Sequence, residues 1–332
     1  MPISFKNQTI TTNKEYKMKK ALLALLSATL LFTVITPAQA EDQKVLAIID
    51  TAINSTKFSS IIQEVCYTTV KSSTPSQDMS CPNGQLFMEG PGAASAPWPT
   101  TGTTFLNNDT YHGDAMVKAA LAIDPTIKIV FVRFVDVAKN GNSRGDIKAL
   151  SLAIDWVSKN ASKYGIDALS ISQSSIDANN LLQCTSNSTV INAIASLNKN
   201  NIPTFAATGN DKSKTVVGFP ACVSGVVGVG GLTGQVYQGA QVSELATNSG
   251  PGIDIVARGD VNITKYNGSP YTLAGSSGST AVASATYLGK NSPKNSEQYL
   301  KSLPLISVTF PYKDAKNILL YSPVVSMPDG SK

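Results

Sequence analysis

Apolar residues in this chain gather into short unbroken runs, separated by longer stretches where they recur every three or four places. Lys44–Ile49 (KVLAII), Ile127–Val135 (IKIVFVRFV), Ile166–Ser172 (IDALSIS), Ile202–Ala207 (IPTFAA), Gly225–Gly231 (GVVGVGG) and Ile253–Val256 (IDIV) show little inside–outside alternation. Runs of that kind suit strands buried on both faces. Between them, AMVKAALAI after His112, Asp146–Lys159 and Ser188–Asn198 carry the helical period, and a further helix is predicted from Ser277. Strands alternating with such helices predict an α/β fold: one domain, a parallel sheet and helices on both of its faces. Residues 66–108, rich in Ser, Thr, Pro and Gly, predict a long irregular stretch. Leu305–Phe310 and Ile318–Val324 fit edge strands or a packed tail.

The N-terminal pattern is different. Residues 18–40, MKKALLALLSATLLFTVITPAQA, join a lysine pair, an apolar stretch and a small-x-small ending at Ala38-Gln39-Ala40. This is the build of a secretory signal peptide. Its apolar part is too short to span a membrane comfortably, so no stable membrane anchor is expected. Residues 1–17 then read as a non-native upstream extension, and the mature chain as starting at Glu41. The expected location is exported, periplasmic or extracellular, for a bacterial-type chain.

Composition narrows the function. The 332 residues are 42% hydrophobic and 15% charged, enough for a sizeable core. The net charge of +5 is mostly a property of the first 40 residues, which hold five lysines and one glutamate. The rest has 22 basic and 21 acidic residues and no basic block, so no nucleic-acid partner is expected. All four cysteines (Cys66, Cys81, Cys184, Cys222) lie in the part expected to be exported, which predicts two disulfides. Three pairings are possible; proximity in sequence favours Cys66–Cys81 and Cys184–Cys222. No C-x-x-C pair occurs and the chain has one histidine, so no metal site is assigned.

Four residues stand at predicted strand ends or helix starts. Asp50 follows the first strand. His112, the one histidine, opens a helix. Asn210 follows the fourth strand, after Gly209, where its amide can donate to a developing oxyanion. Ser277 lies where Gly275-Ser276-Ser277-Gly278 turns into a helix, and unpaired N–H groups and the dipole there favour an anionic oxygen. Ser276 and Ser279 are rivals to Ser277; Asp109 and Asp114 are rivals to Asp50. Gly228–Gly234 (GVGGLTG) has the wrong spacing for dinucleotide binding, and Ser277 does not sit in G-x-S-x-G.

In this order, Asp then His then Ser, the chain resembles the subtilisin-like serine proteases (subtilases). Ala47–Thr51 resembles that family's strand ending in Asp-Thr-Gly, and His112-Gly113 its His-Gly-Thr-His motif. Ala207-Thr208-Gly209-Asn210 is similar to its Ala-Gly-Asn segment. Phe219-Pro220-Ala221 resembles the turn that usually holds a cis proline. Asn248–Ile255 is similar to the segment leading to the nucleophile, and Gly275-Ser276-Ser277 to Gly-Thr-Ser. The resemblance implies a peptidase domain over residues 41–290, with 291–332 a C-terminal extension of unassigned role. It implies a catalytic set of Asp50, His112, Ser277 and Asn210. It implies substrate binding by Ser172, Gln173, Ser174 and Gly209, a protein or peptide substrate, a monomer and no cofactor. Calcium binding is not readable from the sequence. Ser172–Ser175 (SQSS) departs from the family's Ser-Leu-Gly-Gly, and nine residues between Ala40 and Asp50 leave no room for the usual propeptide. The competing expectations are an inactive binding module on the same scaffold and an esterase using the same residues.

Overall fold

A computed structural model describes residues 43–69, 80–95, 112–137, 143–237, 240–243, 247–248, 250–264, 270–289, 296–303, 305–309 and 318–321. The expected signal peptide, the upstream extension and Asp109 lie outside these.

In chain order the described elements are β1 (Val45–Asp50), β2 (Ile61–Tyr67), β3 (Phe87–Glu89), α1 (His112–Ile123), β4 (Lys128–Arg133), β5 (Val135–Val137), β6 (Ser143–Gly145) and α2 (Ile147–Tyr164). Then come β7 (Ala168–Ile171), α3 (Ala178–Ser186), α4 (Ser188–Lys199), β8 (Thr204–Ala207), β9 (Val226–Tyr237), β10 (Ala240–Ser243) and β11 (Ile255–Arg258). The series ends with β12 (Val261–Thr264), β13 (Pro270–Leu273), α5 (Ser276–Tyr287), α6 (Ser296–Ser302), β14 (Leu305–Thr309) and β15 (Ile318–Tyr321).

Eleven strands form one sheet in the order β10-β14-β15-β11-β9-β8-β7-β1-β4-β2-β3. Pairing is parallel from β11 through β9, β8, β7, β1 and β4 to β2. Antiparallel pairs flank this centre, β2 with β3, β9 with β10, and β14 with β15. The expected parallel sheet is thus the central part of a mixed one. Two small hairpins, β5–β6 and β12–β13, stand apart from it.

The absence of alternation in β1 has a direct cause: every residue of VLAIID is buried. Val45, Ala47 and Ile49 point to one core, with Leu150, Ile154 and Trp156 of α2 and Ile194 of α4. Leu46 and Ile48 point to the other, with Met116 of α1 and Val282 of α5. Helices therefore cover both faces. Tyr299 of α6 packs edge-on against Tyr287, with ring centroids 5.1 Å apart, and against Phe205 at 6.3 Å. Among the described residues no helix is long and apolar enough to cross a membrane. The two disulfides are Cys66–Cys81 and Cys184–Cys222, the pairing that proximity favours.

Candidate active site

Central parallel strands end on one side of a sheet, and loops after them meet there. Asp50, fully buried, is the last residue of β1. Its Oδ1 accepts the Thr51 N–H at 2.6 Å and lies 2.7 Å from His112 Nδ1. A carboxylate can only accept, so Nδ1 of His112 carries the hydrogen and Nε2 is left as the basic nitrogen. The docking of α1 onto β1 makes this pair possible. Gly113 donates its N–H to Thr51 Oγ1 at 2.9 Å. A Cβ on Gly113 would stand 2.7 Å from the Ala52 carbonyl oxygen and 2.9 Å from Phe131 Cζ, so only glycine permits the approach. The rival Asp114 is engaged elsewhere: Oδ1 accepts the Asn54 N–H at 2.8 Å and Oδ2 lies 3.5 Å from Lys57 Nζ. Burial pushes its carboxyl above the ordinary aspartate range, against the pull of the Asn54 N–H and of Lys57.

Three serines open α5, and their hydroxyls differ in use. Ser276 and Ser279 are 0% exposed; Ser277 is 9% exposed, the one that solvent reaches. Ser276 Oγ accepts the Gly209 N–H at 3.3 Å and donates to Asn210 Oδ1 at 3.1 Å. Ser279 Oγ donates to the Ala257 carbonyl at 2.6 Å. Ser277 Oγ donates to the Ser172 carbonyl at 2.9 Å, and Ser172 Oγ returns a bond to the Ser277 carbonyl at 3.0 Å. The N-cap of α5 is Gly275, at φ 118°, with no side-chain cap. The N-cap itself therefore takes up none of the first-turn N–H groups.

Asn210 sits directly beside this helix start. The Ser276 N–H, which can only donate, points at Asn210 Oδ1 from 3.1 Å. That fixes the amide orientation and turns its NH2 group, the donor, away from Ser276. Sequence reasoning missed the residue that holds this loop. Asn248 is fully buried, donates to the Thr208 carbonyl at 2.8 Å and accepts the N–H groups of Asp211 and Ser213 at 2.9 Å each. Its only signal was its place at the head of the Asn248–Ile255 segment. Gly209, at φ 103°, has no room for a side chain: a Cβ there would overlap Asn248 Nδ2.

The segment after β7 runs past these groups. Ser172 is bonded to Ser277, and the Gln173 amide lies 3.4 Å from His112 Nδ1. Ser174 Oγ is buried and has no hydrogen-bond partner. Ser175 pairs antiparallel with Phe219 through bonds of 2.8 and 3.2 Å, just before a cis Phe219–Pro220 peptide. All eight residues singled out in the sequence therefore fall around one locus at the C-terminal ends of β1, β7 and β8 and the N-termini of α1 and α5.

The subtilase family model matches residues 42–288. Among solved structures, the chain is similar to Sphericase at 16% identity, covering 87% of this chain and 95% of that one, TM-score 0.53. It is similar to a cold adapted subtilisin-like serine proteinase at 19% identity, covering 84% and 88%, TM-score 0.50. A protease from Pseudoalteromonas arctica matches at 18% identity over 73% of this chain and 75% of that one, TM-score 0.50. At these identities the likeness is one of fold. No curated protein matches by sequence.

Proposed function

The chain belongs to the subtilase family of serine endopeptidases, and from that premise we propose that it cuts peptide bonds with Ser277 as nucleophile, His112 as base and Asp50 as the group that orients His112. Ser277 Oγ leaves its bond to the Ser172 carbonyl and attacks the scissile carbonyl carbon. Nε2 of His112 takes its proton, while Asp50 steadies the imidazolium through Nδ1–H. The negative oxygen that forms is held by the Asn210 NH2 group and the Ser277 N–H at the start of α5. His112 then gives its proton to the leaving amine as the C–N bond breaks. Water, activated by the same His112, releases the acyl group from Ser277. The reaction draws on no cofactor.

The observation that carries this reading is the 2.7 Å bond between His112 Nδ1 and a fully buried Asp50. We also propose that the protein acts outside the cytoplasm, as a monomer on protein or peptide substrates, in the periplasm or beyond. The signal-like segment 18–40 supports export, and two disulfides fit an oxidising compartment. The test is labelling of the chain from Glu41 with a fluorophosphonate, the adduct being located by mass spectrometry. An adduct on Ser277 that disappears in His112→Ala is the expected result. A folded chain that takes no label would leave a binding module on this scaffold instead.

A further inference from the structure

We infer that Gln173 is a positioning residue for Asp50: its side-chain amide donates to Asp50 Oδ2 and holds the carboxylate with Oδ1 turned to His112. This role rests on the reading of Asp50, His112 and Ser277 as the reacting set. Gln173 is where Ser172–Ser175 departs from Ser-Leu-Gly-Gly, and a leucine there offers no donor. The fold brings the two residues to one level. Strands β1 and β7 run parallel with Ile49 opposite Ile171, so Asp50 ends its strand beside the start of the Ser172–Gln173 segment.

Two neighbouring polar groups each lack what the other has. Oδ1 of the buried Asp50 accepts both the Thr51 N–H at 2.6 Å and the His112 Nδ1–H at 2.7 Å. Oδ2 is buried with no hydrogen-bond partner among the described residues. A buried charged oxygen without a donor is costly, and a carboxylate held at one oxygen is free to swing about its Cβ–Cγ bond. The Gln173 Nε2 stands 3.4 Å from His112 Nδ1. That nitrogen carries the hydrogen directed at Asp50, and an imidazole nitrogen that carries a hydrogen does not accept another. The NH2 group therefore gains nothing from Nδ1 itself. Turning the amide over would bring its carbonyl oxygen towards an anionic carboxylate, so the NH2 group is the end that belongs there. The acceptor in need of a donor beside Nδ1 is Asp50 Oδ2, and a rotation of the Gln173 amide supplies one. The bond fixes the plane of the carboxylate, and through it the imidazole, without touching substrate.

The experiment joins the kinetics of Ser277 labelling by a simple alkyl fluorophosphonate to proton NMR of the untagged chain from Glu41. The sequence has one histidine, so the far-downfield Nδ1–H resonance belongs to His112. Gln173→Met keeps the length of the side chain and removes the donor. Its labelling rate at saturating probe is expected to fall about tenfold, the scale of a hydrogen bond to a charged group, with the half-saturating concentration unchanged. The His112 resonance is expected to move further downfield, because a carboxylate relieved of a second donor pulls harder on that proton. Gln173→Glu keeps the shape but sets a second anion beside Asp50, and its labelling is expected to be slower than that of Gln173→Met. A packing role would give the reverse order. Wild-type labelling of Ser277 with Gln173→Met equally fast, or with the His112 resonance unmoved in that variant, overturns this inference alone. Absence of labelling in folded wild type overturns it together with the proposed function.

Discussion

Removing a buried amide that bonds mainly to backbone leaves several groups without partners. Asn248→Ala would strip the Thr208 carbonyl and the Asp211 and Ser213 N–H groups of theirs. A loss of about 2–4 kcal/mol in unfolding free energy is expected, measured by denaturant titration. The kcat should fall more than KM rises, because the loop that moves carries Asn210. Asp114 has a different signature. Burial holds its carboxyl above the ordinary value, so the folded chain binds that proton more tightly than the unfolded one. Its contribution is most favourable below the ordinary aspartate range and is lost as pH rises through the raised value. Asp114→Asn should therefore flatten the stability profile across that window and raise the melting temperature at pH 7. At this scale the chain order of Asp50, His112, Asn210 and Ser277 was legible because these residues follow strand ends or open helices. Asn248 was not, since an amide that holds backbone looks like any other Asn in a sequence.

A helix can be positioned by the side chain it lacks. Gly113→Ala would push α1 off the end of β1, against the Ala52 carbonyl and Phe131. A cost of about 1–3 kcal/mol is expected in thermal unfolding. Slower fluorophosphonate labelling should accompany it, because His112 moves with the helix. Strands with unbroken apolar runs were legible; so were α2 and α4, whose buried faces repeat at helical spacing. Helix α3 was not, for a physical reason: none of its residues is buried, so ANNLLQCTS shows no apolar stripe. The hairpins β5–β6 and β12–β13 went unread as well. The run Ile127–Val135 divides into β4 and β5, and β9 extends well beyond Gly231 to Tyr237.

Across the molecule, covalent links add to a packed core. Cys184–Cys222 joins α3 to the turn after Phe219–Pro220 and closes a separation of 38 residues; Cys66–Cys81 closes one of 15. Replacing the first pair by serine should cost about 4 kcal/mol and the second about 3, read from denaturant midpoints under oxidising conditions. The first replacement should also weaken peptide binding if the segment after β7 receives the substrate as the resemblance implies, since α3 reaches that segment through Asn180 Nδ2 and Ser175 Oγ, 2.7 Å apart. The α/β class was legible from the order of runs, whereas the antiparallel flanks were not. Strand order depends on pairing between residues far apart, which no local pattern records. The same distance governs time. Ser172 and Ser277 bond across 105 residues of chain, and at ordinary synthesis rates that interval takes roughly 5–20 s. Until it has passed, the growing polypeptide lacks Ser277, the nucleophile of the proposed mechanism. Under that mechanism, synthesis order alone keeps an incomplete copy from cutting itself or its neighbours.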